Sequence, residues 1–565
     1  MVNGGPAAGI WKDITALVLG PMLLVGFYFR TFFLSRGGAL YGNDADPSFI
    51  NAIHEYLYQA VLHHQSLRDL PFFFPARDVI GYSDAFMLDL PIYSALRIAG
   101  FDPFVSFEWL LILLTIVGFV GFYLVMRLLL RVNNALLAAA GAAVATMPSN
   151  FVLEAIGLGH AQQFAQHFLV WAALLSVLPL VRKDLFVSRV ARARWCGVAG
   201  GLLFGLTFAT VFYPTWFFVF YCLIVIAVAI AILWRREKLS SVINKCIERR
   251  ALTWWPAGLL PGLIVFAYLY LGALRTLGTR NIHDYLTLAH TAVDVINVGS
   301  AELLWGRLFP IQRVWPISSF DQPGHFLALT PVLLLSCAAS AAYWWKKRSS
   351  TNPLLRSLIL GTVAAIGLVF LLTLKQGDVT PFEFVRWIVP GAGAIRVGMR
   401  GQIIASALAA VVVTTSAAHI LDSIRARFAR AIVWVVFGLI VAEQINMIDV
   451  HLRQHDSLLA MMASTPMPPT DCKVVYFTGR RPIPTAGQFE GAVRAIWEYN
   501  AMWRALAINK PTINGTSGWY PPGWTLTAVD DTHVEEAAHD WAAKNGLHDL
   551  CAYDVGTGNW RRGEP

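Results

Sequence analysis

The chain has 565 residues, of which 56% are hydrophobic and 14% charged, and its mean hydropathy is +0.55. Soluble domains carry about 25% charged residues, so this composition excludes a soluble globular protein and indicates a polytopic membrane protein. The net charge of +9 would suggest a nucleic-acid partner in a soluble chain, but most Lys and Arg lie in short segments between apolar runs, where they set topology. No nucleic-acid partner is expected.

A bilayer core of about 30 Å takes roughly 20 apolar residues per helix. Runs of that kind centre near residues 24, 115, 141, 172, 205, 224, 264, 335, 363, 410 and 439, which predicts about eleven transmembrane helices. The first, residues 14 to 33, carries Arg30, lacks a small-x-small cleavage site and is read as a retained helix. Basic clusters at 182–194, 235–250, 346–348 and 425–430 fall between alternate pairs of runs, all on one side as the positive-inside rule requires. With a cytoplasmic N-terminus, an odd number of crossings places the C-terminus outside.

Residues 34–103, 274–325, 374–400 and 448–565 then face the exterior, and chemistry is expected there. The first of these segments spaces Ile53, Leu57, Val61 and Leu67 at helical intervals, predicting an interfacial helix that holds Asp44 and Asp46 near the membrane surface. In "NDADPSF", Asp46 before Pro47 suits a helix cap. It equally suits a base acting on a hydroxyl beside a membrane-dissolved substrate. Asp-Ala-Asp is also a formal metal-binding pattern, though three residues recur by chance.

On the cytoplasmic side, Leu239, Val242, Ile243, Cys246 and Ile247 form one face of a stretch expected to lie on the membrane surface. "GLGHAQQFAQH" (157–167) gathers His160, Gln163 and His167 at the exterior end of a span, where polar side chains line cavities or serve structural roles. Trp305, Tyr285, Glu302 and Arg307 offer either an acceptor site or interfacial anchoring. "GAGAIRVGMRGQ" places Arg396 and Arg400 four residues apart, a spacing that a helix puts on one face. Two such cations can stabilise a departing phosphate or simply snorkel. The tail, 448–565, turns polar, with strand-like "KVVYF", turn-rich "GWYPPGW" and the helical "DDTHVEEAAHDWAAK". It predicts a small α+β domain in which an oxidising exterior allows a Cys472–Cys551 disulfide. The "NGT" at Asn514 is a formal glycosylation sequon.

Taken in order, "DADPSFINAIHEY", "PFFFPARDVIGYSDAFMLDLPIYSALRIAGFDPFVSFEWLLILL", "GHAQQFAQHFLVWAALL", "VPGAGAIRVGMR" and "TINGTSGWYPPGW" resemble bacterial integral-membrane proteins of the GT-C glycosyltransferase superfamily. The resemblance implies a transmembrane GT-C-like domain, 1–447, and an extracytoplasmic C-terminal domain, 448–565. It implies transfer of a sugar from a polyprenyl-phosphate-linked donor to a glycan, lipid or protein acceptor at the exterior face of the bacterial inner membrane. It carries the catalytic base onto Asp46, with Asp44 as the alternative, and donor-phosphate binding onto Arg396, Arg400 and His160. Asp84, Arg77, His167, Gln163 and Arg307 are expected at the substrate or behind the catalytic groups. Gly398 stands where the resembling proteins lead one to expect proline. A direct displacement would invert the anomeric centre. No cofactor is required by this scheme, although a divalent cation is compatible with it. A transporter of lipid-linked saccharides and a non-catalytic assembly scaffold are the competing readings. Neither repeated halves nor charges deep in the spans favour the former.

Overall fold

A computed structural model describes residues 6–41, 46–182, 190–234, 251–315, 325–347, 352–448, 453–479, 490–529 and 533–562. Asp44, Cys246 and the amphipathic stretch 239–247 lie outside the described residues. Each of the eleven apolar runs is helical. Eight helical segments are long and apolar enough to cross a membrane: Ile10–Tyr28, Pro103–Leu129, Ala135–Gly157, Ala161–Val181, Phe212–Trp234, Trp254–Leu277, Pro353–Thr373 and Gly398–Ser423. The protein is therefore a multi-pass membrane protein, with eight candidate spans among the described residues against the eleven expected. Two of the remaining helices, Pro331–Lys346 and Arg427–Ala442, have 16 residues each. At about 1.5 Å per residue they fall short of a hydrocarbon core about 30 Å thick. The third, Val190–Phe208, carries Arg192 and Arg194 near its start.

Helices Val190–Phe208 and Ala251–Leu277 touch backbone to backbone. A Cβ on Gly258 would sit 1.9 Å from the Val198 carbonyl oxygen, and one on Gly205 would sit 2.9 Å from Gly262 Cα. Gly201, Gly205, Gly258 and Gly262 therefore make the small-residue seam by which membrane helices approach closely.

The segment that follows the first helix and the tail share one packed body. Helix Asp46–Leu62 is buried on both faces from Pro47 to Leu57, so the amphipathic spacing marks an element covered by protein on its polar side as well. Glu55 is held there by Arg97 Nε at 2.9 Å and the Tyr93 hydroxyl at 2.8 Å. In the tail, strand Val474–Thr478 pairs parallel with Leu550–Asp554, which pairs antiparallel with Asn559–Arg562. The Cys472–Cys551 disulfide ties the first two strands together. The peptide 511–514 lies between this sheet and residues 71–74: Ile513 N–H donates to Val475 O (3.1 Å), Thr512 N–H to Pro71 O (2.7 Å), and Phe74 N–H to Thr512 O (2.9 Å). Ile53, Leu57, Phe73, Phe104, Trp503, Ile513 and Trp541 belong to a single apolar core. Asn514 is fully buried, giving its amide to Glu498 (3.0 Å) and accepting from Phe477 N–H (2.7 Å). The formal sequon is thus a structural polar residue, inaccessible to modification in the folded protein.

Glu443, which follows the last membrane-region helix, also has a structural role. Its carboxylate accepts hydrogen bonds from Leu333 N–H (2.6 Å), Val332 N–H (2.9 Å), the Thr330 hydroxyl (2.6 Å) and the Trp305 indole (2.9 Å). It thereby caps helix Pro331–Lys346 from a neighbouring helix, filling donors that a helix start leaves open. Trp305 is fixed by this contact, and Glu302 caps the backbone of 304–306. Replacing Glu443 with Ala strands these buried donors and should cost about 1–3 kcal/mol, read as a lowered unfolding temperature in detergent, while Asn514→Ala should likewise destabilise the tail.

Candidate functional site

Asp46 opens helix Asp46–Leu62, and its carboxylate faces two other parts of the chain. Its Oδ2 lies 3.2 Å from His160 Nε2, and its Oδ1 accepts the Tyr499 hydroxyl at 3.3 Å. His160 Nδ1 in turn lies 3.0 Å from Glu154 Oε1, which also accepts Arg400 Nε at 2.5 Å. Asp46, His160, Glu154 and Arg400 therefore form a row of alternating charge. The two imidazole nitrogens are distinct, and each faces a different carboxylate. Among the described residues, no group of three His, Cys, Asp or Glu side chains is arranged to hold a metal ion.

Local backbone structure sets this row. After helix Ser149–Val152 the chain widens into a turn over Leu153–Gly157. It then reverses through Gly159 in the left-handed region (φ 77°), and His160 N–H returns to the Glu154 carbonyl at 3.2 Å. One short loop thus presents both Glu154 and His160. Arg400 ends a single turn, Gly398–Arg400, that leads into helix Gly401–Ser423, and its guanidinium lies over the Tyr213 ring at 5.6 Å.

Arg396 and Arg400 do not share a helical face. Ile395 and Val397 have extended backbone (ψ 126° and 96°), as suits this glycine-rich stretch. Arg396 is exposed, while Arg400 is half-buried in the row. Tyr213, whose ring lies under Arg400, also holds the Arg396 backbone, its hydroxyl accepting from Arg396 N–H at 2.8 Å and donating to Ala394 O at 2.9 Å. Gly398 has a specific cause: a Cβ there would fall 2.3 Å from the Tyr285 hydroxyl oxygen. Tyr285 itself is buried, stacked on Phe382 and bonded to Thr373 O, so it is packing rather than a sugar platform.

Asp84 accepts Phe212 N–H at 2.8 Å. Burial pushes its carboxyl up to about 6, against the pull of the Phe212 N–H and the Arg400 charge, so it sits within the electrostatic reach of the row. The other residues singled out from sequence have separate engagements. His167 is buried, with Nε2 3.0 Å from Thr146 O. Gln163 is buried, its N–H bonded to His160 O at 3.0 Å. Arg77 pairs at the surface with Asp69 (3.3 Å), and Arg307 reaches the Met447 carbonyl. Sequence reasoning missed Glu154, Tyr213 and Tyr499. A lone acid within an apolar run is a recognisable signal for the first; the two tyrosines carry none.

No protein-family model and no curated protein matches this sequence. Solved structures of the Archaeoglobus fulgidus oligosaccharyltransferase are similar. The complex with Zn and sulfate gives a TM-score of 0.50 at 14% identity over 95% of this chain and 67% of that one. The apo form gives 0.49 at 14% identity over 95% and 69%. The form tethered to an acceptor peptide containing the NVT sequon gives 0.49 at 13% identity over 95% and 68%. The likeness to the first of these shows a shared fold.

Electrostatics of the row give it a pH signature. For Asp46, burial alone would raise the pKa, but the hydrogen bond and charge of His160, with the Arg400 charge, outweigh it and hold the carboxyl below its usual 3.8. For His160, burial would lower the pKa, but Glu154 and Asp46 outweigh it and raise the imidazole from 6.5 to about 9. The site is therefore a carboxylate beside an imidazolium at neutral pH. A raised basic pKa stabilises the fold fully below 6.5, and that contribution declines as pH rises through about 9. The lowered Asp46 contributes above 3.8 and is lost as pH falls through its folded value. Thermal unfolding in detergent should show the native protein weakening between pH 6.5 and about 9, and His160→Gln should flatten that slope.

Proposed function

We propose that this protein is a membrane glycosyltransferase that moves a sugar from a polyprenyl-phosphate-linked donor to a glycan, lipid or protein acceptor at the exterior face of a bacterial inner membrane. The observation that carries the reading is Asp46: a carboxylate at the start of a helix outside the candidate spans, held from both sides by His160 and Tyr499, in a chain sharing the fold of a known oligosaccharyltransferase. We take the N-terminus as cytoplasmic and the three remaining helices as completing eleven crossings, the two of 16 residues where the bilayer thins around them. Residues 448–565 then form an exterior domain.

In this scheme Asp46 accepts the proton of an acceptor hydroxyl while the hydroxyl oxygen attacks the anomeric carbon. The bond from that carbon to the phosphate oxygen breaks, its electron pair leaves with the phosphate, and configuration inverts. A carboxylate below its usual pKa pulls only weakly on a neutral hydroxyl. The proton therefore moves late, once bonding to the anomeric carbon has acidified the oxygen. Arg396, exposed beside the row, meets the departing phosphate. Arg400, engaged by Glu154, contributes its positive field to the same mouth. His160 keeps Asp46 ionised, and Asp84 stands behind this mouth. No step passes through a divalent cation.

In membranes supplied with a labelled polyprenyl-phosphate hexose, Asp46→Asn should lower transfer by at least about 100-fold with expression intact. Normal transfer by both Asp46→Asn and Asp44→Asn would overturn the assignment of the base to this loop. Arg396→Ala should raise the donor KM about tenfold or more, the cost of a hydrogen bond to a charged group.

A further inference from the structure

The tail supplies the second hydrogen bond to Asp46. Tyr499 lies on helix Glu490–Ala507, 453 residues from its partner, and its side chain is buried. The helix is held in register by Trp503, four residues on and so on the same face. The Trp503 indole N–H reaches both the carbonyl and the hydroxyl oxygen of Ser48, each at 3.1 Å, and its ring packs on Phe104 at 4.6 Å. Tyr499 packs on Phe49 at 6.0 Å. On the opposite side, Glu498 accepts Asn514 Nδ2 and Gly515 N–H, each at 3.0 Å, which fixes the helix to the 512–516 loop. The first turn of helix Asp46–Leu62 is thus clamped at Ser48 and Phe49. The clamp brings one hydroxyl to the Asp46 oxygen that His160 does not contact.

We propose that Tyr499 is a positioning residue for Asp46, so that the C-terminal segment completes the reactive site rather than serving only as a separate module. This rests on the reading of Asp46 as the base. With Oδ2 on His160 and Oδ1 on Tyr499, rotation of the carboxylate is restrained at both oxygens, and the lone pairs left to the acceptor are held in fixed directions. A base held in one direction reacts faster than one that samples several. Burial and the neighbouring Asp46 charge hold the Tyr499 phenol well above its usual range, so the hydroxyl stays a donor. The charged and titratable groups around Asp46 are His160, Arg400, Glu154 and Tyr499, with Tyr520 beyond the phenol.

The test uses full-length protein in detergent or native membranes, with Tyr499→Phe and with 3,5-difluorotyrosine at position 499, which keeps the shape and strengthens the donor. Transfer from a labelled polyprenyl-phosphate hexose should lose roughly tenfold in kcat in Tyr499→Phe with the donor KM unchanged. The acid limb of the kcat/KM profile should move to higher pH, because the ionised carboxylate loses a donor; the fluorinated residue should move it the other way. A purely packing role predicts a lowered unfolding temperature with both limbs fixed. A readout independent of turnover is the His160 13Cε1 titration by NMR, which should shift upward in Tyr499→Phe as Asp46 becomes the stronger partner. Wild-type kcat, acid limb and His160 titration in Tyr499→Phe, with Asp46→Asn inactive, would overturn the positioning role and leave the base intact. Full transfer by Asp46→Asn would instead remove the base. In that case a shifted His160 titration would still support the contact, and an unmoved one would overturn it.

Discussion

The arrangement depends on one constraint: charges removed from water must find partners of opposite sign. Glu154 sits at the end of an apolar helix with almost no exposure, and its carboxylate is tolerable there because Arg400 and His160 meet it from two directions. Breaking such a row at one member leaves its neighbour buried and uncompensated, a far larger cost than the net worth of the intact pairs. Alternation makes the row nearly neutral as a whole, yet leaves its outer end, Asp46, negatively charged and turned toward the tail. The chemistry proposed for Asp46 is therefore inherited from what Glu154 requires.

A second consequence concerns the tail. Its strands are closed by a disulfide and by ladder hydrogen bonds, but its hydrogen bonding also continues through the peptide 511–514 to residues 71–74. Trp503, Ile513 and Trp541 share a core with Ile53, Leu57 and Phe104. Loop and tail thus bury one another. The start of helix Asp46–Leu62 is held by the tail through Ser48 and Phe49. The bilayer-region helices supply the floor, through Glu154, His160 and Arg400, while the tail supplies the roof, through Tyr499.

Much of this was legible in the residues themselves. Asp46, His160 and Arg400 stand out because each is a charged or polar group at an edge between apolar and polar sequence, where burial is expensive and function is the usual reason. Arg396 was legible as a cation but not in its placement. The i, i+4 spacing from Arg400 implies a shared face only if the backbone is helical, and the glycines around it together with the tight fit of Gly398 against Tyr285 keep it extended. Glu443 is a lone acid beside an apolar run and caps another helix. His167, in the same polar cluster as His160, turns inward to a backbone carbonyl. Neighbours in sequence can be separated completely by a single turn.

The sequence by itself determined that the chain is a membrane protein with helices at the apolar runs and a polar, disulfide-capable tail, because hydropathy and cysteine chemistry are properties of residues taken locally. Only the tertiary structure decided where those helices begin and end, and that Asp46 meets His160 and Tyr499 while the other nitrogen of His160 meets Glu154. Those contacts join positions 46, 154, 160, 400 and 499. Electrostatic pairing depends on distance in space, which no local pattern along a chain encodes.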